Sequence, residues 1–243
     1  MNAVVFAGPS LFGIDRARLQ GVELRPPAGK GDLLAAGLGS AKVIGLIDGT
    51  FEFGAATWHK EILFVLDRGV HVFGAASMGA LRAAECAAFG MVGVGHVYAD
   101  YAMGRRWADA DVAIMHAPAA MGYRPLTEAL VDIDATLRHA QDQGYISARQ
   151  AERLGKAARA THFKDRTWPQ LVAQADIETS EAEEILKLLY ARRRSVKSED
   201  ALALIEVVRD VDPAASPQPR LPAPFNHTMF FEELLSDVQA QHR

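Results

Sequence analysis

The 243-residue sequence contains a single cysteine, Cys86, which excludes an intramolecular disulfide and any cysteine-rich metal site. Long apolar runs are also missing. Charge-free stretches reach 14 residues, as from Cys86 to Ala99, too short for a membrane-spanning helix. Neither sign of charge dominates: 10 basic residues stand against 11 acidic ones through Ala120, and 16 against 19 after it, for a net charge of −4. Neither half is therefore a basic nucleic-acid surface. The amino terminus, Met1-Asn2-Ala3-Val4-Val5-Phe6, has no positive region before its apolar residues and does not read as a signal peptide. What is present, 49% apolar and 23% charged residues, is ordinary for a folded domain and excludes intrinsic disorder. The expectation is a soluble, cytoplasmic globular chain that binds neither nucleic acid nor membrane.

The first half alternates apolar runs with helical patterns. Val4–Ala7 ends at Gly8-Pro9-Ser10, Lys42–Ile47 at Asp48-Gly49, Val70–Ala76 at Ser77, and a weaker run, Val112–Met115, at His116. Continuous apolar runs of this length predict strands buried on both faces of a sheet. Thr57–Arg68 carries Trp58, Ile62, Val65 and Leu66 at helical spacing between the second and third runs. The rhythm predicts an α/β fold, a Rossmann-like parallel sheet with flanking helices, over residues 1–125. Strand patterns then stop, and residues 126–212 read as an all-helical subdomain. Within it Thr127–Gln143 is a helix closed by Gly144, and Ser147 with Gln150 and Ser180 with Glu183 are capping-box pairs. Five of the eleven prolines fall in 213–224, an extended linker. Residues 225–243 follow as a short amphipathic segment with Phe230, Phe231, Leu234 and Leu235, fit to dock on its own body or on a partner.

The sharpest local feature is Ala75-Ala76-Ser77-Met78-Gly79, where an apolar strand runs straight into an alanine-rich helix. It is an A-x-S-x-G form of the nucleophile elbow, whose small flanking residues permit a tight turn that lifts the serine oxygen over the sheet edge. The amides of Met78 and Gly79 at the helix start are candidates to stabilise an oxyanion; a plain N-cap serine gives the same pattern. Ligands of open parallel sheets bind beyond the carboxyl ends of the strands. Ser10, Asp48, Ser77 and His116 each follow an apolar run, and His59 and Lys60 open the helix after Asp48. A serine nucleophile needs a base, for which His59 or His116 is the natural candidate, oriented by Asp48 or Glu52, with Lys60 as a further possibility. Arg82 and Glu85 are three apart on the alanine-rich helix, placed to pair with each other. No histidine and carboxylate spacing makes a metal ligand set, and Gly93 and Gly95 do not extend to a dinucleotide fingerprint. No cofactor is expected.

Three ordered blocks, Val43–Gly49, Trp58–Leu63 and Val72–Glu85, resemble the core of TfuA-like proteins. Arg25-Pro26-Pro27-Ala28, Gly31-Asp32-Leu33-Leu34, Phe89–Gly95 and Gly122–Leu126 fit the same pattern, so the resemblance covers about Val4–Leu137. It implies a role beside YcaO enzymes, which activate a peptide amide with ATP, in forming thioamides in ribosomal peptides. The implied partners are the YcaO enzyme, a small ubiquitin-like (ThiS-like) sulfur-carrier protein and the precursor peptide. One implied activity is hydrolysis of the carrier's C-terminal thiocarboxylate to deliver sulfide. Ser77 would then be the nucleophile, Met78 and Gly79 the oxyanion donors, and His59 or Lys60 would neutralise the departing sulfide. Gly49 and Gly74-Ala75-Ala76 would line a narrow channel for the carrier tail. The other implied role is a non-catalytic adaptor that binds YcaO and promotes thioamidation. With one cysteine, either role runs without a persulfide relay.

Overall fold

The structure, a computed structural model, describes residues 3–52, 54–216, 219 and 221–241. Five short strands, β1 Ala3–Phe6, β2 Glu23–Arg25, β3 Val43–Leu46, β4 His71–Ala75 and β5 Val92–Val94, form a sheet ordered β2-β1-β3-β4-β5. Every neighbouring pair is parallel, as the α/β reading requires. Helices α1 Asp32–Leu38, α2 His59–Asp67 and α3 Met78–Cys86 carry the chain between strands β2 to β5, and α4 Gly95–Ala102 follows β5. From β1 the chain moves outward to β2, whereas from β3 it moves the other way to β4. The crossover direction therefore reverses between β1 and β3, the place where open α/β sheets form a crevice.

The expected strand at Val112–Met115 is not formed. A 3-10 turn, Asp109–Asp111, precedes this stretch, and its pairing is confined to Met115 with Leu126 and Thr127 and an isolated bridge between His116 and Pro125. Apolar residues there are buried by packing without a ladder. The sheet is completed instead by β2 and β5, three residues each, whose polar or glycine-containing sequences carry no apolar run.

The chain divides into two units, residues Met1–Trp107 with Ser198–Arg243, and Ala108–Lys197. In the first, alternation along the strands supplies both faces. Val4, Phe6, Ile44, Leu46 and Val72 pack with Leu33, Ile62, Leu66 and Cys86. Val5, Val43 and Phe73 pack with Leu204, Ile205 and Val208 of α9 Val196–Asp210. Gly45 is what admits α9, since a Cβ there would lie 2.7 Å from Leu204. Helix α10, Met229–Gln241, buries Phe231, Leu234 and Val238 in the first of these clusters, so the C-terminal segment docks on its own body. Pro217, Gln218 and Arg220 of the Pro-rich stretch lie outside the described residues.

The second unit holds α5 Leu130–Asp142, α6 Ala148–Ala160, α7 Trp168–Gln174 and α8 Thr179–Ala191 around Ile133, Leu137, Leu154, Trp168 and Leu189. Ser147 and Gln150 form the expected capping box on α6. The pair expected at Ser180 and Glu183 is absent, because α8 begins at Thr179 with Glu178 in the capping position and no side-chain cap. Asp132, fully buried in this unit, accepts from Ser195 Oγ at 2.9 Å and Lys197 N at 3.1 Å. Among the described residues, no helix is long and apolar enough to cross a membrane.

Candidate functional site

The strand-to-helix turn after β4 is built by glycine and strain. A Cβ at Gly79 would lie 1.7 Å from the Leu46 carbonyl oxygen, and one at Gly74 would lie 2.1 Å from the Gly79 oxygen, so these two glycines let α3 start against the sheet. Ala76 has φ of 65°, and Ser77 N–H donates to the Ala75 carbonyl at 2.7 Å, closing a γ-turn on a positive-φ alanine. Such a conformation costs about 1–3 kcal/mol and persists where the surroundings over-determine it, often at functional sites. Ser77 follows at the N-cap of α3, half-buried and with no side-chain cap hydrogen bond. Of the two expected oxyanion amides, Gly79 N–H donates to the Ile47 carbonyl at 3.1 Å, so it holds helix to sheet. Met78 N–H, at the first position of α3, faces no carbonyl of its own helix.

At the crevice between β1 and β3, Asp48 is 2% exposed and Ser10 3%. The Asp48 carboxylate accepts from Gly8 N at 2.9 Å, Ser10 N at 3.0 Å and Ser10 Oγ at 2.7 Å. This pair ties the loop after β1 to the end of β3, and neither residue orients a histidine. Gly49 packs beside Met78 and the Ala28 carbonyl. Ala75 and Ala76 are wholly buried, so they line no open channel.

The open part of the rim lies at the start of α2. Glu61, 0% exposed, accepts from Trp58 N at 2.9 Å, Gly31 N at 2.8 Å and Leu34 N at 3.5 Å, joining the starts of α1 and α2 through one carboxylate. Burial pushes its pKa up against the pull of those three amides. The preceding loop is pinned to residues 28–30 by backbone bonds from Thr50 to Ala28 and from Lys30 to Ala55. Lys30 Nζ lies 4.0 Å from the centre of the Trp58 ring. Ala55, Ala56, Thr57, Trp58, His59, Lys60 and Arg82 line an open pocket of about 380 Å³.

One carboxylate organises that pocket. His59 Nε2 lies 2.8 Å and Arg82 Nη1 2.6 Å from the same Glu85 oxygen. Arg82, mostly buried, also donates through Nε to the Thr57 carbonyl at 3.2 Å. The hydrogen bond from His59, then the Arg82 guanidinium, hold the Glu85 carboxyl below its ordinary value despite partial burial. With Nε2–H on Glu85, His59 keeps Nδ1 for proton transfer. Lys60 Nζ donates to the backbone carbonyl of Asn226. The pocket is thus lined by His59, Lys60 and Arg82, of which His59 and Arg82 share the Glu85 carboxylate, an arrangement suited to an anionic ligand.

The residues predicted for the site are therefore divided. His59, Lys60 and Arg82 come together; Asp48 and Ser10 form a closed pair; Ser77 and Met78 stand at the turn of α3. His116 belongs to the second unit, where its Nδ1 meets the Ala117 carbonyl at 2.8 Å and its ring lies 5.7 Å from that of Tyr123. Glu52 is exposed, with φ of 59°, in the loop between β3 and α2. Glu85 was legible as a partner of Arg82 but not of His59, 26 residues away. Thr57 and Asn226 take part through backbone carbonyls, which no side-chain motif signals. Cys86 is 1% exposed, and burial pushes its thiol up to about 11, which makes it inert packing.

Among known proteins, residues 48–167 match the family model described as TfuA-like protein. No curated protein matches the chain.

Proposed function

The chain belongs to the TfuA-like family, and from that premise we propose that it serves a YcaO enzyme in peptide thioamidation by hydrolysing the C-terminal thiocarboxylate of a small ubiquitin-like sulfur carrier. The observation that carries the reading is the His59–Glu85–Arg82 group in an open, cation-lined pocket at the carboxyl edge of the sheet. A thiocarboxylate is an anion on a flexible tail, and Arg82 and Lys60 offer it charge. His59, oriented by Glu85, takes the proton of the Ser77 hydroxyl as its oxygen adds to the thioacid carbonyl. The Met78 amide steadies the oxyanion. The C–S bond then breaks, His59 returns the proton to the departing sulfide, and water releases the carrier as an ordinary carboxylate. The buried thiol of Cys86 takes no part. Replacing Ser77 with Ala and measuring sulfide from a thiocarboxylated carrier tests the nucleophile: release should fall at least about 100-fold, and unchanged release removes Ser77 from the mechanism.

A second reading is favoured by one observation. Ser77 makes no side-chain cap bond, while His59, Lys60 and Asp48 are bonded to other groups. On this reading the protein is an adaptor that holds YcaO and peptide, and the pocket only binds the carrier tail. Excess free sulfide separates the two: if it replaces this protein in a YcaO assay, delivery is the role, and if the protein is still required, adaptor function is.

A further inference from the structure

We infer that the C-terminal segment braces the pocket from outside at Lys60, with Phe225 and Asn226 as positioning residues for its ammonium. Lysine carries a flexible stem, so an unheld ammonium loses much rotamer freedom when a ligand fixes it. Here two groups of one segment hold it beforehand. The Asn226 carbonyl accepts from Lys60 Nζ, and the Phe225 ring centre lies 4.9 Å from the same nitrogen. A carbonyl and a π face both suit a cation while leaving two N–H donors for an anion in the pocket that Lys60 lines.

The segment is seated firmly enough to serve this purpose. Phe225 meets Phe64 of α2 at 5.6 Å and Phe231 of α10 at 4.9 Å, both edge-on, and Phe231 is wholly buried. Further along α10, Leu234 and Val238 rest on Gly31, where a Cβ would come within 3.2 Å of Val238. Gly31 is also the residue whose amide Glu61 holds, so one loop supports both the tail and the start of α2.

The experiment is trace acetylation of the full-length protein with acetic anhydride, comparing Lys60 with the exposed Lys42 and Lys156 in the same sample. Lys60 should react more slowly than the two references. In Phe225→Leu, which keeps apolar bulk in the cluster, and in Phe225→Ala, its relative rate should rise about two- to five-fold, the factor a cation–π contact contributes. Phe225→Tyr should restore the original rate. The inference rests on the thiocarboxylate reading only for a second readout, in which the KM for thiocarboxylated carrier rises by a similar factor while kcat holds. Unchanged Lys60 acetylation in both Leu and Ala variants overturns the inference, as does a changed rate with unchanged KM. If the wild-type protein releases no sulfide while acetylation responds as stated, the positioning stands and the thiocarboxylate reading falls.

Discussion

Two carboxylates, one at a strand end and one on a neighbouring helix, show how differently the same group is used. Asp48, at the end of β3, is buried and takes two backbone amides and a buried hydroxyl. Glu85, on α3, is partly exposed and takes a histidine and an arginine side chain that line a pocket. A carboxylate satisfied by backbone closes the fold, since its donors cannot move without the chain. One satisfied by side chains leaves groups that a ligand can reach and reorganise. Position at a strand end is shared by Asp48 and the start of α2, so position alone does not mark the working side; the partners do.

The contrast gives an ordered set of expectations. Asp48→Ala should be the most damaging change, lowering unfolding free energy by about 3–5 kcal/mol because three buried donors, the Gly8 and Ser10 amides and the Ser10 hydroxyl, lose their acceptor. Urea unfolding measures it, and a loss of under about 1 kcal/mol would erase the distinction from Glu85. Gly79→Ala comes next, at about 3 kcal/mol, since its Cβ would meet the Leu46 carbonyl. Glu85→Gln should cost only about 1 kcal/mol or less, as partly exposed pairs do. Its effect is better seen against pH. Because the Glu85 carboxyl is held below its ordinary 4.5 in the folded state, its stabilisation is present above that value and fades as pH falls through the lowered one. Wild-type stability minus that of Glu85→Gln should therefore shrink as pH falls below 4.5. A difference that grows with acid would reverse the assignment. Smallest of all, Cys86→Ala should leave sulfide release within about two-fold, and native Cys86 should resist iodoacetamide at pH 8 until the protein is unfolded.

The same contrast explains what could be read from the chain. Strands β1, β3 and β4 were legible because each is a continuous apolar run ended by a turn residue. The parallel order followed from the intervening helical patterns. Strands β2 and β5 were not, being edge strands whose short sequences, Glu23-Leu24-Arg25 and Val92-Gly93-Val94, need little apolar surface. Val112–Met115 looked like a strand because burial alone produces an apolar run. The sequence grouped α9 with the preceding helices, since nothing in Leu202, Ile205 and Val208 says which surface they cover; the missing side chain of Gly45 is where the answer lay. At the site, His59 and Lys60 were found by their place at a helix start, and Arg82 by its spacing to Glu85 on the alanine-rich helix. The sharing of Glu85 by His59 and Arg82, and the role of Asn226 through a carbonyl 166 residues from Lys60, depend on folding.

On the proposed function, the His59–Glu85 side of the rim does chemistry while the Asp48 side holds structure. The most direct test is His59→Ala, with sulfide release from a thiocarboxylated carrier and urea unfolding measured on the same preparation. Release should fall about 100- to 10,000-fold, the span of a lost general base, with the unfolding midpoint nearly unchanged. Release within about two-fold of wild type, on a protein equally stable, would contradict the account.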